Sequence, residues 1–162
     1  MNSKYISKFA HISEHNFNKL EGLIKSKAPK NVLEIGTHAG QITLLLSELS
    51  NTVISIDYKE FHSPSVEDHL KINNINNVEV YKGDSLNDLI VDHFNQDIDL
   101  IYIHRDLQIN DFPAAVKKKC TKDVSVIKLV NDDFVVDKIS PPAKKKKPAK
   151  TPAIDKSVSG VS

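Results

Sequence analysis

The chain has 162 residues and a mass of 18.1 kDa, enough for one domain and hardly for two. Hydrophobic residues at 40% and charged residues at 27% exclude wholesale disorder, and no apolar run approaches the roughly 18–20 residues of a membrane helix. The net charge of +1 hides a split: residues 141–162 carry six lysines against Asp155, a net of +5, and the rest of the chain carries −4.

In chain order, Met1–Ala10 mixes Lys4 and Lys8 with single apolar residues and does not read as a signal peptide. Ser13 is a candidate N-cap, and Phe17, Leu20, Leu23 and Ile24 recur at helical spacing, so a helix is predicted as far as Ala28-Pro29. A short apolar strand follows at 31–35, broken by Gly36, and after Gly40 the stretch 41–49 reads as a helix packed on a sheet. Further strands are predicted at 52–56, closed by Asp57, at 78–81, stopped by Gly83, and at 98–103. Helices are predicted between them at 66–72 and 86–94. Strands alternating with helices imply right-handed crossovers and an α/β, mainly parallel, doubly wound sheet. A short helix at 112–120 and two strands at 124–130 and 134–139 complete the domain, with Asn131-Asp132-Asp133 as a hairpin turn. The domain is expected to span 1–140. The segment 141–162, rich in Pro, Lys, Ser and Ala, is expected to be a disordered basic tail. Lys144–Lys150 then act either as a polyanion- or nucleic-acid-binding arm or as a solubilising segment. The one cysteine, Cys120, excludes an internal disulfide and fits a reducing, cytoplasmic setting.

The strand-loop-helix around Glu34-Ile35-Gly36-Thr37-His38-Ala39-Gly40 carries the functional signal. Gly36 permits a sharp turn at the strand end, Gly40 a close backbone approach, and the next helix offers free N–H groups to a polar ligand. Only two glycines of a dinucleotide fingerprint are present, at the wrong spacing, and no Gly-Lys-Ser/Thr follows. Glu34 would repel a pyrophosphate and suits a ligand that bears an ammonium group; a hydrogen bond to loop amides is its other reading. Asp57, 23 residues on, stands where a carboxylate can accept both ribose hydroxyls, and Asp84, in Gly83-Asp84-Ser85, where one can accept from an adenine amine.

These segments resemble the class I S-adenosylmethionine-dependent methyltransferases over about residues 12–112. NVLEIGTHAG matches the first motif, VISIDYKE the ribose-binding acidic strand, VEVYKGDSL the adenine-contacting segment and IDLIYIHRD the fourth strand. The resemblance is closest to the small-molecule O-methyltransferase branch, whose fourth strand typically ends Ile-Asp-Gly-Asp-His. Here the residues are Ile103-His104-Arg105-Asp106-Leu107, so an acid is replaced by His104 and the final His by Leu107. The family usually continues with a further strand-helix unit and an antiparallel final pair of strands, and this chain is shorter there.

The resemblance implies a Rossmann-like methyltransferase fold, S-adenosylmethionine as cofactor, and Glu34, Gly36, Thr37, Gly40, Asp57, Asp84 and Ser85 as its binding residues. It also implies a small-molecule or macromolecular methyl acceptor. His104 and Asp106 are the candidate catalytic groups, His104 as a general base with an ordinary pKa of about 6.5. The other reading of this segment is a methyltransferase-fold binding protein without turnover, docked to a nucleoprotein assembly through its tail. The short C-terminal part leaves one wall of an acceptor pocket for a partner subunit, so an oligomer is compatible with it. His38 is expected on the solvent side of its loop, and Arg105 and Lys128 as surface charges or as contacts to an acidic substrate. His11, His15, His62, His69 and His93 have no metal-ligand spacing, and no metal is assigned. No Asn-Pro-Pro-Tyr type motif is present, which argues against methylation of DNA-base or glutamine amines.

Overall fold

The computed structural model describes residues 12–59, 65–104 and 114–143. Six strands form one sheet in the order β3-β2-β1-β4-β5-β6, with β1 Asn31–Ile35, β2 Thr52–Tyr58, β3 Val78–Gly83, β4 Leu100–Ile103, β5 Val124–Val130 and β6 Asp133–Ile139. The first five are parallel and β6 runs antiparallel to β5. The helices are α1 Glu14–Lys27, α2 Gln41–Leu49, α3 Ser65–Ile72, α4 Leu86–His93 and α5 Ala114–Lys119.

Alternation along the strands sends side chains to two cores. Val32, Val53, Leu100, Tyr102, Ile127 and Phe134 pack under α1, α2 and α3 with Phe17, Leu20, Ile24, Leu46 and Leu70. Leu33, Ile35, Ile56, Ile101, Ile103, Val124 and Val126 pack under α4 and α5 with Leu86, Ile90, Val116 and Cys120. Because the central strands are covered on both faces they read as near-continuous apolar runs, as parallel strands do. Each fully buried side chain of this kind is worth about 1.5–3 kcal/mol.

Local chemistry sets the element ends. The Ser13 hydroxyl accepts from the Asn16 amide at 3.2 Å, and α1 closes at Ala28, in the left-handed region at φ 45°. β2 runs to Tyr58, beyond the predicted end, because Asp57 and Tyr58 pair with Lys82 and Gly83 of β3. β4 starts at Leu100, later than predicted; the Asp99 backbone still bonds to Asn31 and Ser125 on either side, and its side chain accepts from the amides of Lys30 and Asn31. Asn131 and Asp132, both with positive φ (48° and 61°), make the two-residue turn between β5 and β6. Among the described residues no helix is long and apolar enough to cross a membrane.

The chain runs from β1 outward to β3 and then returns to lay β4 against the other side of β1. That reversal opens a crevice above Ile35 and Ile103, where the His104 amide donates to the Ile35 carbonyl at 2.9 Å. Ligands of doubly wound sheets bind at such a switch point.

Candidate cofactor crevice

The loop between β1 and α2 is held from below by two carboxylates, both 0% exposed. Asp57, on β2, accepts from the His38 amide through Oδ2 at 2.9 Å and from the Tyr58 amide through Oδ1 at 2.8 Å. Glu34, on β1, accepts through Oε2 from the Thr43 hydroxyl of α2 at 2.6 Å and the Ser55 hydroxyl of β2 at 2.5 Å. Ser55 is in turn 2.7 Å from the Thr37 hydroxyl. Since Ser55 gives its proton to Glu34, Thr37 donates to Ser55, and a directed chain runs from the loop to the buried carboxyl. The partners of Glu34 are thus hydroxyls and not loop amides.

Oε1 of Glu34 is buried without a hydrogen-bond partner. Burial is the largest influence on this carboxyl and pushes its pKa from 4.5 up to about 8, against the lowering by Ser55 and Thr43 and with a further push from Asp57. Near neutral pH the group is mainly protonated.

Gly36 and Gly40 both have positive φ, 99° and 79°. Gly36 donates to Ile56 and Gly40 to the Thr37 carbonyl, and Gly40 caps α2. A Cβ on Gly40 would meet the Val66 methyls at 3.1 Å, so both the backbone angle and the packing of α3 demand glycine there. The first turn of α2 contains no acid, and no side chain caps it.

The crevice has two parts. Over β2 and β3, Tyr58, Lys59, Gly83 and Asp84 line a cleft of about 490 Å³, within the range of small-molecule sites. Asp84 is exposed at its rim, while Ser85 is half-buried and caps α4 by accepting from the Asp88 amide at 3.3 Å. Over β1 and β4, Gly36, Thr37, His38, Gln41 and His104 enclose only about 10 Å³. The expectation of a solvent-side His38 is corrected here. Its amide bond to Asp57 and its left-handed φ of 46° turn the ring inward, edge-on to His104 with centroids 4.8 Å apart.

His104 is half-buried, and its Nδ1 lies 2.9 Å from the hydroxyl of Tyr102, itself fully buried. Tyr102 was absent from the sequence-based site, although i and i+2 on a strand share a face. Ser55 and Thr43 were also missed; a serine inside the apolar strand 52–56 was the visible signal. Lys128, expected on the surface, is only 5% exposed and pairs in register with Ile103 and Val135, its stem covered by apolar neighbours. Asn131 and Asp132 act as the turn, and the Asp132 carbonyl accepts from the Asn16 amide side chain at 2.6 Å. Arg105, Asp106, Leu107 and Lys144–Lys150 lie outside the described residues.

This architecture is found in solved structures. The O-methyltransferase from Bacillus cereus, solved in complex with SAH, is 24% identical, with a TM-score of 0.60, over 78% of this chain and 60% of that one. A methyltransferase from Geobacter sulfurreducens matches at 17% identity and TM-score 0.61, over 73% and 61%. Precorrin-6y C5,15-methyltransferase from Geobacter metallireducens matches at 14% identity and TM-score 0.57, over 81% and 71%. The fold is that of the class I methyltransferases. The chain spans about half to seven-tenths of the length of these and similar structures. No protein-family model and no curated protein sequence matches the chain.

Proposed function

We propose that the chain binds S-adenosylmethionine and passes its methyl group to an oxygen or nitrogen acceptor. The observation that carries the reading is the Asp57 carboxylate. It sits near the C-terminal end of β2, beside the switch-point crevice, bonded to the amide of a loop whose two glycines take left-handed angles. A cofactor with an adenosine half suits the two parts of the crevice. The cleft over β2 and β3 takes that half, with Asp84 at its rim toward the base and Asp57 beneath, holding the loop and Tyr58 through their amides. The loop at Gly36, Thr37 and Gly40 and the first turn of α2 meet the amino-acid end, for which the His38–His104 contact has to part.

Bound there, the cofactor supplies a sulfonium methyl, an electrophile that leaves sulfur as a neutral thioether. The residues of this chain have the lesser chemical task of alignment and proton removal. His104, at the end of β4, is the base that takes the proton of a hydroxyl acceptor as the new bond to the methyl forms, or that of an ammonium acceptor beforehand, to free its lone pair. Glu34 acts through Thr37 and Thr43 by fixing the loop and does not touch the ligand.

Calorimetric titration with S-adenosylmethionine and S-adenosylhomocysteine tests the binding half. Loss of hydrogen bonds to a charged group in Asp57→Ala should weaken binding by about 1.5–3 kcal/mol, or about 10- to 150-fold. Absence of binding by the wild-type chain at millimolar cofactor overturns the reading. Transfer of labelled methyl to an acceptor panel tests the rest. Tight binding without transfer would favour the binding-protein alternative.

A further inference from the structure

We propose that Lys128 is the anion-binding residue of the acceptor side, so that the molecule methylated here carries a carboxylate or phosphate group. Its role toward an acceptor rests on the methyl-transfer reading, whereas the anion site stands on the geometry of β5 alone. Lys128 lies near the C-terminal end of β5, in register with Ile103, the last residue of β4 and the sequence neighbour of His104. Alternation sends its side chain to the face of Ile103, with Val135 of β6 on the other flank. The other residues of β5 on that face are Val124, Val126 and Val130, so a lysine is the exception in an apolar row.

The residue is only 5% exposed, yet among the described residues no hydrogen bond or ion pair holds its ammonium. The ammonium groups of Lys19, Lys25, Lys82, Lys122 and Lys138 all meet carboxylates, and all five side chains are far more exposed. The acids that flank Val135 on its face, Asp133 and Asp137, are themselves exposed, and Asp133 is paired with Lys19. Among the described residues Glu34 Oε1 is the one fully enclosed side-chain polar atom without a partner, so the unpartnered Lys128 ammonium reaches solvent at its tip. A cation with a sheathed stem and an open tip is costly to leave unpaired, and an incoming anion relieves that cost. Where so little water remains, the attraction also exceeds that between two solvated surface charges. The other half of the crevice is acidic, with Asp84 at the rim and Asp57 beneath. An anionic acceptor is therefore turned away from the cofactor cleft and drawn to the β4–β5 side.

Benzoate, phenyl phosphate and the neutral benzamide are titrated into the full chain without cofactor, and the amide signals of Ile103 and Val135 are followed by NMR. At least one of the two anions should give saturable shifts and benzamide none, and the tighter anion tells carboxylate from phosphate. Lys128→Met keeps an unbranched apolar stem and removes the charge, and it should weaken that binding by about 10- to 100-fold. Lys128→Arg, which keeps the charge, should retain binding and serves where the methionine variant fails to fold. In methyl transfer, the ratio of kcat/KM for acidic over neutral acceptors should fall in Lys128→Met by the same factor. No saturable shift with either anion, an equal response to benzamide, or full binding by Lys128→Met overturns the proposal. Anion binding at Lys128 in a chain that transfers no methyl group keeps the site and overturns the methyl-transfer reading alone.

Discussion

The two sides of the crevice are built differently. On the β1–β2 side every carboxylate faces inward: Asp57 is held by two amides and Glu34 by two hydroxyls, and the loop above them is fixed through Thr37 and His38. On the β4–β6 side the Tyr102 hydroxyl and the His38 ring meet His104, and beyond it the sheet ends in a hairpin with Val135 and Val136 exposed at 43% and 39%. One side is a preorganised cradle for something polar. The other carries the His104 ring and ends in a strand with apolar side chains in solvent. The two sides can thus be perturbed separately by mutation.

Glu34 gives the largest expected effect. Its folded-state pKa of about 8 lies above 4.5, so between these values the folded chain keeps a proton that the unfolded chain has released. Its contribution to stability is full below pH 4.5 and is lost as pH rises to about 8, by up to about 1.4 kcal/mol per unit. Glu34→Gln keeps an acceptor for Thr43 and Ser55 and should flatten that slope, so that the variant becomes the more stable protein at the alkaline end. Denaturant melts across the window check this; parallel curves for the two proteins would refute it.

Gly40→Ala comes next. The left-handed angle and the 3.1 Å approach to Val66 should cost about 1–2 kcal/mol in a denaturant melt. Adding Val66→Ala should return only the packing share, because the backbone angle remains. Full recovery in the double variant would show that the angle costs nothing.

On the other side, the smallest effect has the opposite sign. Asp132→Gly places the preferred residue at a φ of 61° in the hairpin turn and should stabilise by up to about 1 kcal/mol, with the Asn16 bond to its carbonyl retained. Thermal melting measures it, and a loss of stability would mean that the Asp132 side chain holds the turn.

Most of the fold was legible because its signals are local. The apolar runs 31–35 and 124–130 and the helix 41–49 match their elements end to end, and Ser13, Gly36 and Gly40 mark turns by their own chemistry. The site was legible only as positions. That Asp57 and Gly36 stand at one sheet edge follows from strand order, but whether a side chain faces ligand or core does not. Glu34 meets Thr43 and Ser55 across 9 and 21 residues of chain, and His38 meets His104 from another element; these are facts of packing, which spacing does not encode. Lys128 shows the same limit, since composition assigns a lysine to water and the register covers its stem.

The return of β4 to the side of β1 also shapes how the chain folds. The β5–β6 hairpin closes through two residues, a microsecond event, whereas the Lys30 amide reaches Asp99 69 residues away. Joining β1 to β4 therefore carries the larger loop-closure entropy and belongs to the late, global step. The crevice lies on that seam. A ligand held there at a hundred times its Kd would add about 2.7 kcal/mol to the stability of the folded sheet. Occupancy could then be followed at the far end of the molecule, in the exchange of the β6 amides.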